Sequence, residues 1–477
     1  MNSLNFSYIE PILFALYTVV FSLTIYLEKK SLKGAIASPL LILSLGVYMR
    51  AGIGLALLHL SPHNSDDQFI KAWTSNVSAL QLLWLPLLVC LLCYSFFESR
   101  LLLMRLRIKL PNSFPSLLSK ESATRRSLII LYLIITSFFA FYLVASLFTH
   151  AFTRDFATYY NLTQLLWRLD TPTTALMRLR DIWFFLTPMF YFVLPNRIKL
   201  LPILLIIIFF ASAVLSGSRG LLLYPSVLLG IGLIVITKSN RQLFAIFISL
   251  GLFAFISIPS IYVLRESPSF QSANNPIEKT RLLITLPYQE FSSIKSRLPY
   301  TGRDLYACHD PFLFKSSNHH HLNQGWKSFN AFPWIFIPKH LLPDQPPIFD
   351  GHIIAKRLQG ISPSRWSSVW FPCISLPADL YRRFSITGWL TGSFFSALTI
   401  GIFSSLWKTI VTLPFVPVPF KLLLWSFPVS YIQSFPLGTL SESLWYFLWD
   451  LPKYLIAFVI LSKASVLLSK KLPSKLL

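Results

Sequence analysis

The sequence predicts an all-α, polytopic membrane protein with about eleven transmembrane helices and one long extracytoplasmic loop. Three observations predict it. Of 477 residues, 54% are hydrophobic and only 13% charged, and the mean hydropathy is +0.58; that apolar surface calls for lipid rather than water. The apolar residues are gathered into runs about as long as a bilayer is thick. The 42 Lys+Arg against 19 Asp+Glu give a net charge of +23, and in such a chain a basic excess first means cytoplasmic loops facing anionic lipid. Nothing in it points to nucleic acid.

In chain order, the first span runs from Ile9 to Leu27, without the basic start or small-residue cleavage site of a secretory signal. Lys29, Lys30 and Lys33 follow, then a second span from Ile36 to His59 that contains Arg50. The third, Val77 to Phe97, leads into a connection with Arg100, Arg105, Arg107, Lys109, Lys120, Arg125 and Arg126 against Glu98 and Glu121. The positive-inside bias makes that connection cytoplasmic. A fourth span covers Ser127 to Leu147. A short fifth, Ile182 to Leu194, is preceded by Arg178, Arg180 and Asp181.

Spans six and seven, Leu200 to Leu215 and Leu221 to Thr237, are joined only by Ser216-Gly217-Ser218-Arg219-Gly220. So short a connection requires a tight hairpin, with Arg219 held at the membrane surface. An eighth span, Leu243 to Leu264, closes an N-terminal bundle over 1–264. A proline-rich loop then occupies 265–385, and 386–477 holds spans at Ile386 to Trp407, Lys421 to Gln433 and Tyr454 to Leu468 before a basic tail. Alternation from the basic connection places the N-terminus, Arg219 and the long loop outside and the C-terminus in the cytoplasm. No internal repeat is visible.

Several arginines fall at membrane exits on that outer side: Arg178, Arg180, Arg219 and Arg265, with Arg50 inside a helix. A guanidinium keeps its charge in any environment and offers a planar fork of donors suited to phosphate. Local pairing with Asp181, Glu266 or lipid headgroups is the competing reading for each. Within the long loop, His319-His320-His321 carries no spaced partner of the kind a metal site needs. Cys308 and Cys373 are both in this loop and are candidates for a disulfide if it lies outside the cell. Cys90 and Cys93 sit in an apolar helix and read as packing. Trp326, Trp334, Trp366 and Trp370 suit either stacking on sugar faces or anchoring at the interface. Asp379 and Arg382 stand about one helical turn apart where the loop meets the ninth span.

The Ser-Gly-Ser-Arg-Gly hairpin, Arg265 closing the following helix, Ile337-Pro338-Lys339 with Leu341, Pro343, Asp344 and Pro346, and Asp379-Leu380-Tyr381 with Phe384 and Gly388 together resemble bacterial O-antigen and exopolysaccharide repeat-unit polymerases. The resemblance covers about Ala211 to Leu406. Departures from the pattern include Lys339 and Leu342 for an arginine and a tryptophan, Gln345 for a lysine, Ala378-Asp379 for Gly-Glu, and Ser385 where a glycine is expected. The resemblance implies transfer of a growing glycan from polyprenyl diphosphate onto an incoming lipid-linked repeat unit, at the outer face of the bacterial plasma membrane, without nucleotide, metal or other cofactor. It implies the lipid-linked oligosaccharide as substrate, and flippase and chain-length-regulator proteins as partners. Arg219, Arg265, Arg50 and Arg382 become diphosphate-binding candidates, and Asp379 and His352 candidates for the base. An O-antigen ligase is the alternative enzyme, and a transporter or flippase of lipid-linked glycans the alternative outside enzymes.

Overall fold

In the computed structural model, the described residues are 9–31, 38–59, 68–105, 122–148, 173–191, 194–215, 219–236, scattered positions between 241 and 260, 267–289 apart from 274, 302–314 apart from 304 and 307, 354, 358, 374–431 apart from 414, 439–445 and 451–471. Every regular element among them is helical. Seven helices are long and apolar enough to cross a membrane. They are α1 (Ile9–Ser31); a composite of α2 (Pro39–Val47), a π-helical stretch (Tyr48–Gly54) and α3 (Leu55–His59); then, after the short α4 (Gln68–Thr74), α5 (Val77–Arg105) and α6 (Ser122–Phe148). The others are α8 (Leu200–Leu215), α12 (Leu376–Thr412) and α15 (Leu451–Lys471).

These seven, among the described residues, stand beside the eleven spans expected over the whole chain. Three further helices fall where spans five, seven and ten are expected, α7 (Thr173–Tyr191), α9 (Arg219–Ile236) and α13 (Val418–Tyr431), and the eighth expected span is described only at scattered positions. Helix α7 is the most enclosed of these. Its run Ile182 to Leu186 is completely buried, and Trp183 stacks on Phe139 of α6 at 4.0 Å between ring centroids. Further out, α10 (Pro268–Ser272), α11 (Pro276–Gln289) and α14 (Leu440–Trp445) are short helices flanking the spans.

Helix directions can be read from paired side chains. Ser78 at the start of α5 donates to Glu10 at the start of α1 (2.9 Å), and Ser95 near the other end of α5 donates to Glu28 near the end of α1 (2.9 Å). The two run parallel. Helix α12 is parallel to both, because Trp389 Nε1–H donates to the Leu83 carbonyl (2.8 Å) and Ser405 donates to Glu98 (2.6 Å). Helix α2 returns between them: its N-cap Ser38 meets Glu28, and Gly54, just past it, lies against Gly302 and Tyr306. The start of α1, the 302–314 segment and the start of α12 thus share one side of the bundle. A single hydrophobic core joins side chains from 1–264, 265–385 and 386–477, while Ile12, Phe141, Phe395, Leu406 and Ile460 stay exposed on the outer surface, as lipid contact requires.

Helix α8 ends at Leu215 and α9 begins at Arg219; residues 216–218, where the tight turn is expected, lie outside the described residues. Other helices overrun the boundaries read from hydropathy. Helix α5 continues past Phe97 to Arg105 and carries Glu98, and α7 begins at Thr173 and takes in Arg180 and Asp181. The reason is local neutralisation. Arg180 pairs with Asp181 at 2.8 Å and donates to the Tyr142 hydroxyl at 3.3 Å, so the helix can carry both charges.

Helix α12 is 37 residues long, which as a straight rod would be roughly 55 Å, nearly twice the hydrocarbon thickness. It is not straight. Ser385 adopts φ 56°, ψ −154°, a region open essentially to glycine, and it is the one non-glycine residue with positive φ among those described. The break separates a short buried segment, Leu376 to Phe384, from a spanning portion beginning at Ile386. It also brings Phe384 over Gly388 so closely that a Cβ there would overlap the Phe384 Cβ, and seats Leu380 on Gly392 at 2.7 Å from where a Cβ would stand. Ser385→Gly is expected to stabilise the protein by about 1 kcal/mol, and Gly388→Ala to lower its melting temperature, both read from thermal unfolding in detergent.

Candidate functional site

The Leu376 to Phe384 segment is held at its N-terminus and through its centre. Ser375 is the N-cap: its Oγ accepts the Ala378 N–H at 3.3 Å, and Pro377 stands in the first turn, where a missing N–H does no harm. Beneath the cap lies Asp310, fully buried in the 3₁₀ turn Asp310–Phe314. Its Oδ1 accepts the Ser375 N–H at 2.9 Å and its Oδ2 accepts the hydroxyls of Ser375 and Tyr306, the latter at 2.6 Å. Tyr306 Oη in turn accepts Trp84 Nε1–H from α5 at 2.8 Å. Burial raises the Asp310 pKa above the ordinary carboxylate value, against the hydrogen bonds from Ser375 and Tyr306.

One turn along, Asp379 is fully buried and accepts four hydrogen bonds. Arg382 donates to Oδ1 through Nη2 at 2.7 Å and Nε at 3.2 Å. Arg383 Nε donates to Oδ2 at 2.8 Å, and the Leu440 N–H at the start of α14 donates to the same oxygen at 3.0 Å. Both guanidinium groups are almost wholly enclosed, Arg382 4% and Arg383 1% exposed. In this arrangement Asp379 organises two cations, and all its lone-pair directions are engaged. One carboxylate thus gathers two guanidinium groups, the cation type suited to a diphosphate.

Of the other sequence candidates, Arg50 lies in the π-helical stretch and donates Nη1–H to the Gly46 carbonyl at 3.4 Å. It stands in the part of its span nearer the 302–314 segment, the same side of the bundle as Asp379. Gly54 and Gly302 allow the backbones to touch there: a Cβ at Gly302 would come within 2.5 Å of the Gly54 carbonyl oxygen. Arg219 opens α9, and its side chain is not described. Arg265 and His352 lie outside the described residues, as do His319 to His321, Trp326, Trp334, Trp366, Trp370 and Cys373. Cys308 is buried. Among the described residues no cluster of metal-ligating side chains occurs.

A second charged cluster escaped sequence reading. Lys408 of α12 donates to Glu98 of α5 at 2.6 Å and bridges to Glu28 of α1 at 3.0 Å. Ser38 and Ser95 donate to Glu28 at 2.6 and 2.9 Å, and Ser405 to Glu98 at 2.6 Å. This cluster ties together the ends of the three parallel helices on the side opposite Asp379. Its signal in the sequence was a lysine one residue beyond the apolar run that ends at Trp407. Compared with known protein families, curated proteins and solved structures, the chain matches none.

Proposed function

We propose that this protein polymerises polyprenyl-diphosphate-linked oligosaccharide repeat units, as a glycosyltransferase on the outer face of the bacterial plasma membrane. One observation carries the reading: the residues through which the sequence resembles such polymerases, Asp379, Leu380, Tyr381, Phe384 and Gly388, form one built unit. Asp379 holds two arginines, Leu380 packs on Gly392, Tyr381 stands edge-on to Trp389 at 6.3 Å, and Phe384 closes over Gly388. At Ser385, where the resemblance expects glycine, the backbone takes a conformation suited to glycine.

In this reaction an acceptor hydroxyl of the incoming unit attacks the anomeric carbon of the growing chain. The bond from that carbon to the diphosphate oxygen breaks, a base takes the hydroxyl proton, and polyprenyl diphosphate departs with the bonding pair. Cations stabilise the leaving group where its charge develops. Arg382 spends Nε and Nη2 on Asp379 and keeps Nη1 for the ligand; Arg219, Arg265 and Arg50 complete the diphosphate site. Asp379, saturated by donors, positions the arginines, and the proton falls to His352.

The test is release of polyprenyl diphosphate, followed by mass spectrometry, when purified protein meets lipid-linked repeat units from the source membranes. Arg382→Ala is expected to lower the rate about a hundredfold, and Arg382→Lys to recover little of it, since a lysine cannot fork. Release that proceeds unchanged in Arg382→Ala would remove this site from the chemistry. Release only after a lipid acceptor of another class is added would identify a ligase.

A further inference from the structure

We propose that Asp310 is a positioning residue for the Asp379/Arg382 cluster, acting through the N-cap of α12. Its catalytic consequence rests on the function proposed above; the mechanical link stands on geometry alone. The break at Ser385 interrupts the helical backbone between Leu376 to Phe384 and the spanning part of α12, so the orientation of this short segment is set by side-chain packing across the break and by what holds its other end. Ser375 suffices as a cap for the free amides. A buried carboxylate beneath it does something a cap does not: it fixes where the cap itself stands.

The chain of bonds is continuous and directional. It starts on α5, a spanning helix, at Trp84 Nε1, passes through the Tyr306 hydroxyl to Asp310, and from both Asp310 oxygens to the side chain and backbone of Ser375. The Ser375 carbonyl then accepts the N–H of Asp379 at 2.9 Å, and Asp379 holds Arg382 and the Leu440 amide. The side-chain links from Trp84 to Arg382 are buried, and that to the Leu440 amide partly so; in such surroundings hydrogen bonds are strong and leaving one unmade is expensive. Because the backbone before Tyr306 also lies against the π-helical stretch at Gly54, the same segment sets that stretch relative to α12.

Hydrogen exchange on the full-length protein in lipid nanodiscs tests the link. The Leu440 amide is bonded to Asp379, and Asp310 is bonded instead to Ser375 and Tyr306, so this amide reports what travels through the helix. Asp310→Ala is expected to speed its exchange about tenfold or more. Asp310→Asn is expected to do less, because its amide oxygen still accepts the Ser375 N–H, and Tyr306→Phe to fall between. Unchanged protection at Leu440 in folded Asp310→Ala overturns the proposal. Should that variant fail to fold, unchanged protection in Tyr306→Phe overturns it equally. In glycan elongation, the loss caused by Asp310→Ala is expected to shrink below about twofold in an Arg382→Ala background, since residues acting through one another are not additive. Losses that multiply in full would show Asp310 acting elsewhere. Native protein that shows the exchange coupling but elongates nothing would refute the glycan reading and leave the mechanical link standing.

Discussion

Lys408→Met is expected to remove about 3–5 kcal/mol of stability, enough to leave little folded protein in detergent at room temperature. The ammonium is 4% exposed and sits between Glu28 and Glu98, so its loss leaves two carboxylates facing each other inside a helix bundle with their common cation gone. Methionine fills the same volume and restores none of the charge. The companion variant separates charge from packing: Lys408→Met combined with Glu28→Gln and Glu98→Gln is expected to recover most of the lost stability, because the buried charges go together. Thermal unfolding of the two proteins side by side gives the comparison. A single variant as stable as the native protein would mean that the three helices are held by their apolar faces alone.

Asp379→Ala carries the second large effect. It takes the shared carboxylate from Arg382 and Arg383 and the acceptor from the Leu440 amide. A loss of about 3–5 kcal/mol is expected, together with loss of all glycan elongation. Asp379→Asn keeps the shape and one acceptor oxygen, so it is expected to fold better and still to be inactive, since an amide cannot hold two guanidinium groups against their mutual repulsion. Elongation at the native rate by Asp379→Asn would contradict the positioning role given to this acid.

The parts of the fold that were legible in the sequence are those where hydropathy and local chemistry agree. Helices α8 and α9 follow from two apolar runs a few residues apart: α8 ends at Leu215, where the first run ends, and α9 begins at Arg219, just before the second. The spanning part of α12 begins at Ile386, where the apolar run begins. What was illegible depended on partners distant in sequence. Glu28 and Glu98 read as loop residues because a charge counts against a membrane helix until its counterion is known, and that counterion, Lys408, lies more than 300 residues downstream of Glu98. Helix α7 was cut short at its start for the same reason, with Arg180 and Asp181 assigned to the connection before it.

The candidate site was legible in outline. Asp379 and Arg382 were marked by their spacing and by the resemblance, and Ser385 by the glycine it replaces. Asp379 is, from sequence, either a candidate base or the partner of a salt bridge to Arg382 or Arg383; the geometry has Asp379 saturated by Arg382, Arg383 and Leu440. Asp310 read as one more polar residue in a long loop, since nothing local reveals that Ser375, 65 residues on, closes over it.

The most direct measurement of the central claim is a glycan ladder. Purified native protein is given lipid-linked repeat units with a chelator and without nucleotide, and the products are separated by gel beside those of Asp379→Asn and Arg219→Ala. The account predicts a ladder of regularly lengthened glycans from the native protein and none from the two folded variants. Native protein that binds the units and leaves them unlengthened, with or without an added acceptor, would contradict it.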